Sequence, residues 1–271
     1  MEGTCKFCLG HKRLIQSHFL SRGLYDLCRA ASSEPVILTS KVVMHTSRRV
    51  KDYLLCAPCD NFLGQKGENW LLPRRATMSG SFPLFEILRR VPPDVNEQDS
   101  QGYAAARNPG IDVAAITHFA MGIYWKASVH SWSSNETEPY IKLGPYSEQL
   151  RRFLRAELPF PEHMVLVVGA LPHASRFIHF VAPYRGSNTA HRNFVFAVPG
   201  MQFNLLVGKG IPPETREICF CRNPFQPIVV ADPAGEMKDV YREVSREAHR
   251  SKRLLEHFAT TRRPDTGRPD P

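Results

Sequence analysis

The sequence predicts an α+β protein in which a small N-terminal unit with paired cysteines precedes a larger domain of helices and antiparallel strands. Two Cys-x-x-Cys pairs lie within the first 60 residues, and a largely apolar, proline-free stretch follows at 111–132. Five short runs rich in Val, Ile and Phe then alternate with clusters of Pro, Gly, Asn and His. An apolar stretch of helical length, followed by short runs between turn formers, indicates a buried helix together with a mostly antiparallel sheet.

Changes in composition along the chain predict two domains. The cysteine-bearing unit spans 1–75, and a segment rich in turn formers, 76–110, is predicted as a linker or long loop. The α+β domain occupies 111–259. The last stretch, 260–271, has three prolines and no apolar anchor, so we expect it to be disordered.

The elements of the larger domain can be placed from periodicity. The stretch 111–132 is apolar nearly all round, which is typical of a helix buried in a core. Gly144-Pro145 opens a second helix, 146–157, with Leu and Phe on one face and Arg on the other. An amphipathic helix is predicted within 237–258. The predicted strands are 164–171, 176–183, 193–198, 202–207 and 227–231.

Composition excludes several classes of protein. Because 42% of the 271 residues are hydrophobic, intrinsic disorder is excluded as the main state of the chain. The longest apolar stretch is interrupted by polar residues, so no membrane-spanning segment is expected. The N-terminus lacks the basic and apolar regions of a secretory signal, so we expect a cytoplasmic protein. Seven cysteines are also too few for a disulfide scaffold.

The two cysteine pairs predict a structural zinc site formed by Cys5, Cys8, Cys56 and Cys59. Structural Zn²⁺ takes four tetrahedral ligands, and each pair supplies two thiolates. The 47 residues between Cys8 and Cys56 exceed the spacing of a compact zinc ribbon, so a folded insertion such as a hairpin must bring the pairs together. The alternative is two unrelated redox motifs.

The distribution of charge points to a polyanionic partner. The net charge is +9, and residues 1–75 contain 12 Lys and Arg against 6 Asp and Glu. Because Lys and Arg neutralise phosphates, this excess indicates a nucleic acid as the expected partner. Simple solubility and a solvated loop are the alternatives. The candidate phosphate contacts are Arg48, Arg49, Lys51, Arg74 and Arg75.

The residues around the pairs resemble those of a known family. The order is Cys5-x-x-Cys8, a predicted strand with Ser17-His18, a second strand, and Leu54-Leu55-Cys56-x-x-Cys59-Asp60 opening a helix. This pattern resembles the HNH endonuclease superfamily in its zinc-containing treble-clef form, over about the first 75 residues. The rest of the chain, notably Ile123-Tyr124-Trp125-Lys126-Ala127-Ser128 followed by Leu143-Gly144, resembles the C-terminal part of uncharacterised bacterial proteins with a similar cysteine-rich start. This second resemblance implies no activity.

The resemblance implies a metal-dependent nuclease that hydrolyses DNA phosphodiester bonds. It assigns His18 as the general base, with a catalytic Mg²⁺ or Mn²⁺ beside it. Three residues depart from the family's pattern. Ser17 stands where the family has a metal-binding Asp, and Asp60 stands where the family has His or Asn. Lys51 lies near the position at which the family's Asn is expected. Asp60, with Glu68 two helical turns on, could supply the missing carboxylates.

Less specific roles remain open for the same residues. His18 could be structural, and Asp60 could serve only the free amides of a helix N-terminus. Glu68 is expected to be solvated, His118 and His130 to be core histidines, and the Cys219-Phe-Cys221 pair to serve packing. Two alternative functions follow: a non-catalytic, zinc-stabilised nucleic-acid-binding protein, and an interaction adaptor whose C-terminal domain binds a protein partner.

Overall fold

A computed structural model describes residues 1–27, 36–38, 43–45, 50–77, 81–98, 100–132, 139–172, 180–186 and 191–231. It confirms the α+β class, with helices packed against sheets of mixed strand direction. Arg48, Arg49, the predicted helix within 237–258 and the tail 260–271 lie outside the described residues. No helix in the described ranges is both long and apolar enough to cross a membrane.

The N-terminal part builds a three-stranded antiparallel sheet in the order β1-β2-β5. From the N-terminus to the last strand of this sheet, the elements are β1 (Glu2–Thr4), β2 (His11–His18), α1 (Arg22–Leu27), β3 (Val36–Leu38), β4 (Val43–His45) and β5 (Lys51–Cys56). The hairpin β3-β4 lies between the two cysteine pairs, as the spacing predicted. It does not extend the small sheet, however, because β3 pairs with a strand of the larger one.

A helix follows β5 directly and changes its winding along its length. It runs through α2 (Ala57–Leu63), a π-helical turn (Gly64–Glu68), α3 (Asn69–Leu71) and a 3₁₀ turn (Leu72–Arg74). A proline in the first turn of α2 suits a helix start, since it lacks the N–H that would have no partner there. A π-turn inserts one extra residue into a helix and rotates the side chains beyond it.

The larger sheet has nine strands in the order β4-β3-β9-β10-β11-β8-β12-β7-β6. Its remaining elements are α4 (Pro83–Leu88), β6 (Val95–Asn96), β7 (Ser100–Ala104), α5 (Val113–Val129), α6 (Tyr146–Leu154), β8 (Met164–Ala170), β9 (Phe180–Arg185), β10 (Arg192–Val198), β11 (Met201–Val207), α7 (Pro213–Glu217) and β12 (Pro227–Ala231). Two strand pairs are parallel, β12 with β8 and β3 with β9, and the other pairs are antiparallel.

The segment 76–110 differs from its prediction as a linker or long loop. It contains α4 and the strands β6 and β7, and β7 pairs along its whole length with β12. The β7 strand has the sequence Ser-Gln-Gly-Tyr-Ala, in which only the last two residues are buried. Such a strand lacks the apolar alternation that identifies strands in a sequence. The division into two domains stays a prediction.

The buried helix α5 lies between the nine-stranded sheet and the cysteine-bearing unit. The Asp112 carboxylate caps it by accepting a hydrogen bond from the Ala115 N–H at 2.8 Å. On the sheet side, the fully buried Tyr124 hydroxyl lies 2.9 Å and 2.8 Å from the carbonyl oxygens of Phe194 and Phe203. On the other side, the Trp125 ring meets Phe7 edge-on at 5.2 Å. One helix therefore serves both parts of the protein.

Gly67, in the π-turn, makes the closest approach to α5. A Cβ there would lie 2.6 Å from the Phe119 nitrogen and 2.8 Å from its Cα, and helix backbone cannot retreat as a flexible side chain can. We expect Gly67→Ala to destabilise the protein by about 1–3 kcal/mol, the usual cost of overpacking. Gly64→Ala is the matched control, because its nearest atom is a side-chain oxygen 3.8 Å away. Urea unfolding of both variants measures the difference, and equal stabilities would contradict the predicted clash.

Candidate metal centre and adjoining polar edge

The first cysteine pair lies in the turn between β1 and β2. The Cys5 N–H donates to the Gly10 carbonyl at 3.0 Å, and the Leu9 N–H donates to the Cys5 carbonyl at 2.8 Å. Leu9 adopts a left-handed φ of 62°, which closes the turn after Cys8. The Lys6 N–H also donates to the Leu54 carbonyl at 3.1 Å. This bond fixes the turn to β5, which leads into the second pair.

The second pair lies where β5 becomes α2. Cys56 is the residue before the helix, and Cys59 lies in its first turn. The amide groups at a helix N-terminus favour negative charge nearby, so this position suits thiolates. The Cys56 N–H donates to the Cys5 sulfur at 3.4 Å, which ties the two pairs together.

All four cysteine sulfur atoms lie within 4.8 Å of one another. The Cys8 and Cys56 sulfurs are 4.0 Å apart. Four thiolates bound tetrahedrally to Zn²⁺ at about 2.3 Å would have sulfurs about 3.8 Å apart, close to the observed spacing. The cluster is therefore compatible with a zinc site, and the predicted grouping of Cys5, Cys8, Cys56 and Cys59 is confirmed.

The shifted pKa values of Cys5 and Cys59 indicate that the thiols of the cluster influence one another strongly. Burial raises the pKa of Cys5, but hydrogen bonds from the backbone N–H groups of Cys8, Cys56 and Phe7 outweigh it and bring the value to about 7. Burial raises the pKa of Cys59, and the neighbouring sulfurs of Cys56 and Cys5 raise it further. Four thiolates at this spacing repel one another, which is the condition that a bound divalent cation relieves.

Arg151 of α6 and Arg155, which directly follows the helix, lie beside the first cysteine pair. Arg151, on the predicted arginine face of the helix, is buried, and its guanidinium donates to the Phe7 carbonyl at 2.8 Å. The same guanidinium makes a bidentate pair with Glu148, at 2.8 Å and 2.7 Å. Arg155 lies over the Phe7 ring, 5.7 Å from its centroid. Arg151 therefore ties the first cysteine turn to α6, while Glu148 and Glu157 balance the charges of the two guanidinium groups.

Ser17 lies at the far end of β2 and is fully buried. The register of β2 against β5 shifts between Ile15 and Gln16, which leaves the Leu55 N–H near a serine hydroxyl rather than a carbonyl. That N–H donates to Ser17 Oγ at 3.2 Å. Ser17 therefore completes the hydrogen bonding of an irregular strand pair, which is a structural role.

His18 is the last residue of β2 and is partly exposed, opposite Lys51. Its carbonyl accepts a hydrogen bond from the Lys126 ammonium of α5 at 3.2 Å. The same ammonium lies 3.7 Å from a Glu68 carboxylate oxygen, and both side chains are largely buried. The prediction that Glu68 is solvated is therefore wrong: Glu68 balances the single charged residue of the apolar helix. Lys126 is the only lysine in the apolar stretch 111–132, and this is the sequence feature that could have indicated a buried carboxylate partner.

A second pair of polar groups includes Asp52, at the same end of the β2–β5 strand pair as His18. Asp52, the partner of Ser17 across the strands, has its carboxylate Oδ2 2.9 Å from Nε2 of His130. His130 directly follows α5 and is partly exposed, so its prediction as a core histidine is wrong. A hydrogen bond from the Tyr53 N–H lowers the pKa of Asp52; partial burial opposes this, and the His130 contact adds to it. Together with Ser17, His18 and Lys51, this pair forms what we call the polar edge.

The remaining predicted residues lie elsewhere. Asp60 is in the first turn of α2, partly exposed. Lys51 is exposed at the start of β5. Arg74 stacks on the Trp70 ring at 4.3 Å and donates to the Trp70 carbonyl, and Arg75 donates to the Leu72 carbonyl. Both arginines thus serve the end of their helix, and phosphate contact by them stays a prediction.

Two further groups were predicted as structural. His118 is largely buried and in contact with the Leu154 carbonyl at 3.2 Å, and burial lowers its pKa, as suits a neutral core histidine. The sulfurs of Cys219 and Cys221 lie 3.7 Å apart. Cys219 is fully buried and packs against Val165 and Ile211.

Comparisons with protein-family models, with curated proteins and with solved structures each find no match to this chain.

Proposed function

We propose that the protein is a zinc-stabilised endonuclease of HNH-like type that hydrolyses DNA phosphodiester bonds. In this proposal β2, β5 and α2 form a treble clef whose four cysteines hold a structural Zn²⁺. The observation that carries the proposal is the position of His18. The strand that leaves the first cysteine pair ends at this partly exposed histidine, and the polar edge at the same end of the strand pair also includes Asp52, His130 and Lys51.

The chemistry requires a base and a cation. His18 would accept a proton from the water that attacks phosphorus, since a neutral imidazole accepts protons near pH 7. A divalent ion would stabilise the charge that develops on the phosphoryl oxygens and on the leaving oxygen. The leaving oxygen then takes up a proton, and the strand is cut. Binding to DNA would rest on phosphate contacts, for which the basic N-terminal unit is suited.

A second candidate function is a zinc-stabilised nucleic-acid-binding protein without catalysis. Two observations favour it. The Ser17 hydroxyl, which stands in place of the family's metal-binding Asp, is engaged by the Leu55 N–H. The Glu68 carboxylate, a possible substitute, is neutralised by Lys126. Both functions predict DNA affinity that weakens as salt rises, so only cleavage separates them.

The experiment is plasmid nicking by zinc-loaded wild type, His18→Ala and His11→Gln, with Mn²⁺ or Mg²⁺ present. A general base contributes about 10²–10⁴-fold to a rate, so we expect His18→Ala to lose nicking by that factor. His11, an exposed histidine at the other end of β2, is the matched control and should retain full activity.

The outcomes separate the candidates. Circular dichroism and zinc content establish that each variant is folded before its rate is compared. Wild type that binds DNA with a steep salt dependence and never cuts it would support the non-catalytic function. Equal cutting by wild type and His18→Ala would remove His18 from the mechanism.

A further inference from the structure

We propose that Cys219 and Cys221 form a redox-active dithiol site, which exchanges with low-molecular-weight disulfides and closes to a reversible Cys219–Cys221 disulfide. The site lies in the segment between α7 and β12. It shares no residue with the four-cysteine cluster or with the polar edge, so it does not depend on the proposed nuclease.

The two sulfurs are close enough to form a bond with little rearrangement. They lie 3.7 Å apart, and a disulfide joins sulfurs at about 2.04 Å, so an approach of about 1.7 Å is needed. The N–H groups of Arg222 and Asn223 both donate to the Cys219 carbonyl, at 3.1 Å and 2.8 Å, so the backbone turns at the pair. The Phe220 N–H donates to the Leu166 carbonyl at 2.8 Å, which anchors this turn to β8. The fold thus holds the two thiols side by side before any oxidation.

The surroundings of the pair favour sulfur chemistry over metal binding. Among the residues that the structure describes, the four N-terminal cysteines are the only group of three or more possible metal ligands. The pair therefore lacks the further ligands that a metal site would need. Two neighbouring thiols without a metal are what a dithiol–disulfide couple requires.

The two cysteines differ in exposure, which assigns them different steps. Cys219 is fully buried in a small apolar cluster, whereas Cys221 is partly exposed. An open cavity of about 440 Å³ adjoins the turn and is lined by Arg216, Glu217 and residues 222–225. A small reagent that arrives from solvent therefore meets Cys221 first. Cys219 can react only with a sulfur that is already attached there.

Hydrogen bonding between the two sulfurs prepares the pair for exchange. The hydrogen bond from the Cys221 thiol lowers the pKa of Cys219 to about 5; burial opposes this, and hydrogen bonds from the Leu166 N–H and from Arg222 add to it. The same contact, together with burial, raises the pKa of Cys221. At neutral pH Cys219 is therefore a thiolate that can accept the proton of Cys221.

Exchange takes place in two steps. In the first, the Cys221 sulfur bonds to one sulfur of the reagent, its proton passes to the Cys219 thiolate, and the other half of the reagent leaves as a thiolate. In the second, the Cys219 sulfur bonds to the Cys221 sulfur, and the remaining half of the reagent leaves with the proton of Cys219. Two protein thiols are oxidised, and one disulfide is reduced. Because hydrogen bonds stabilise the reduced pair, the new disulfide is easily reduced again.

The test treats full-length protein with glutathione disulfide and then alkylates the free thiols. Trypsin cleaves after Arg216 and after Arg222, so both cysteines fall in one peptide, 217–222, which contains no other cysteine. Mass spectrometry of this peptide distinguishes free thiols, a mixed disulfide with glutathione and the internal disulfide. In wild type we expect the internal disulfide to replace the free thiols. Excess reduced glutathione should restore them, and circular dichroism establishes that the protein stays folded throughout.

Two serine variants separate the roles of the cysteines. In Cys219→Ser the reaction should stop at the mixed disulfide on Cys221, because the second sulfur is missing. In Cys221→Ser the buried Cys219 should remain a free thiol. Equal formation of the mixed disulfide in both folded variants would overturn the assignment of Cys221 as the point of entry.

The wild-type result decides the proposal even if a variant fails to fold. Free thiols that persist in folded wild type under excess glutathione disulfide would overturn the site. A mixed disulfide that accumulates in wild type without closing would also do so, since the pair would then not react internally. An internal disulfide that excess reduced glutathione leaves intact would contradict its reversibility.

Discussion

Removal of the metal from the four-cysteine cluster is expected to unfold the N-terminal unit. Structural zinc contributes about 10–16 kcal/mol of apparent binding free energy, which a three-stranded sheet of this size cannot replace from its own core. The cysteine pairs lie at the junctions of β1 with β2 and of β5 with α2, so an ion bound by all four would tether these elements and its loss would separate them. We expect Cys59→Ser to abolish zinc binding and to remove the cooperative unfolding of this unit.

The measurement combines zinc content with hydrogen exchange and thermal unfolding. Wild type should contain about one zinc per chain under the four-thiolate model. Cys221→Ser is the matched control, because Cys221 belongs to the separate pair with Cys219 and should leave the zinc content unchanged. Wild type that contains no zinc, or Cys59→Ser that retains full protection of β2 and β5, would contradict the zinc model.

Substitution of Lys126 by Met is expected to give the next largest loss of stability. The Lys126 and Glu68 side chains are only 5% and 15% exposed, so removing the ammonium leaves a carboxylate with little solvent and no balancing charge. Breaking one half of a buried ion pair typically costs about 3–5 kcal/mol. The substitution also removes the hydrogen bond to the His18 carbonyl.

Urea unfolding of the single and double variants isolates the pair. We expect Lys126→Met/Glu68→Gln to recover part of the loss, since no buried charge is left uncompensated. Arg152→Met is the control: Arg152 lies at the same 3.7 Å from its Glu157 partner but is 46% exposed. Exposed pairs contribute at most about 1 kcal/mol. A similar small loss in Lys126→Met would mean that water reaches the buried pair.

Most elements could be predicted from the sequence because their patterns are local. The buried helix predicted at 111–132 corresponds to α5, and the helix predicted at 146–157 corresponds to α6. The predicted strands match β8, β10, β11 and β12 within one residue at each end. The described part of β9 begins at Phe180, the first described residue after 172, and ends two residues beyond the predicted end. The grouping of the four cysteines was also predictable, since two close pairs suit one ion.

The polar edge could not be predicted, because its contacts join residues far apart in the chain. Asp52 and His130 are 78 residues apart, and Lys126 and the His18 carbonyl are 108 apart. Periodicity indicates which face of a helix is buried, but not which distant group will lie against it. The π-turn before Glu68 is likewise invisible to a pattern based on 3.6 residues per turn.

The position of α5 limits how the cysteine-bearing segment can be transferred to another protein. A fragment that stops after the 3₁₀ turn would keep all four clustered cysteines. Phe7, however, would lose its contacts with Trp125 and Arg151, and the carbonyl of His18 would lose Lys126. Transplanting the segment onto another scaffold therefore requires a replacement for this helix, including its one buried cation. The cysteine-bearing segment is best treated as inseparable from the helix and the sheet that support it.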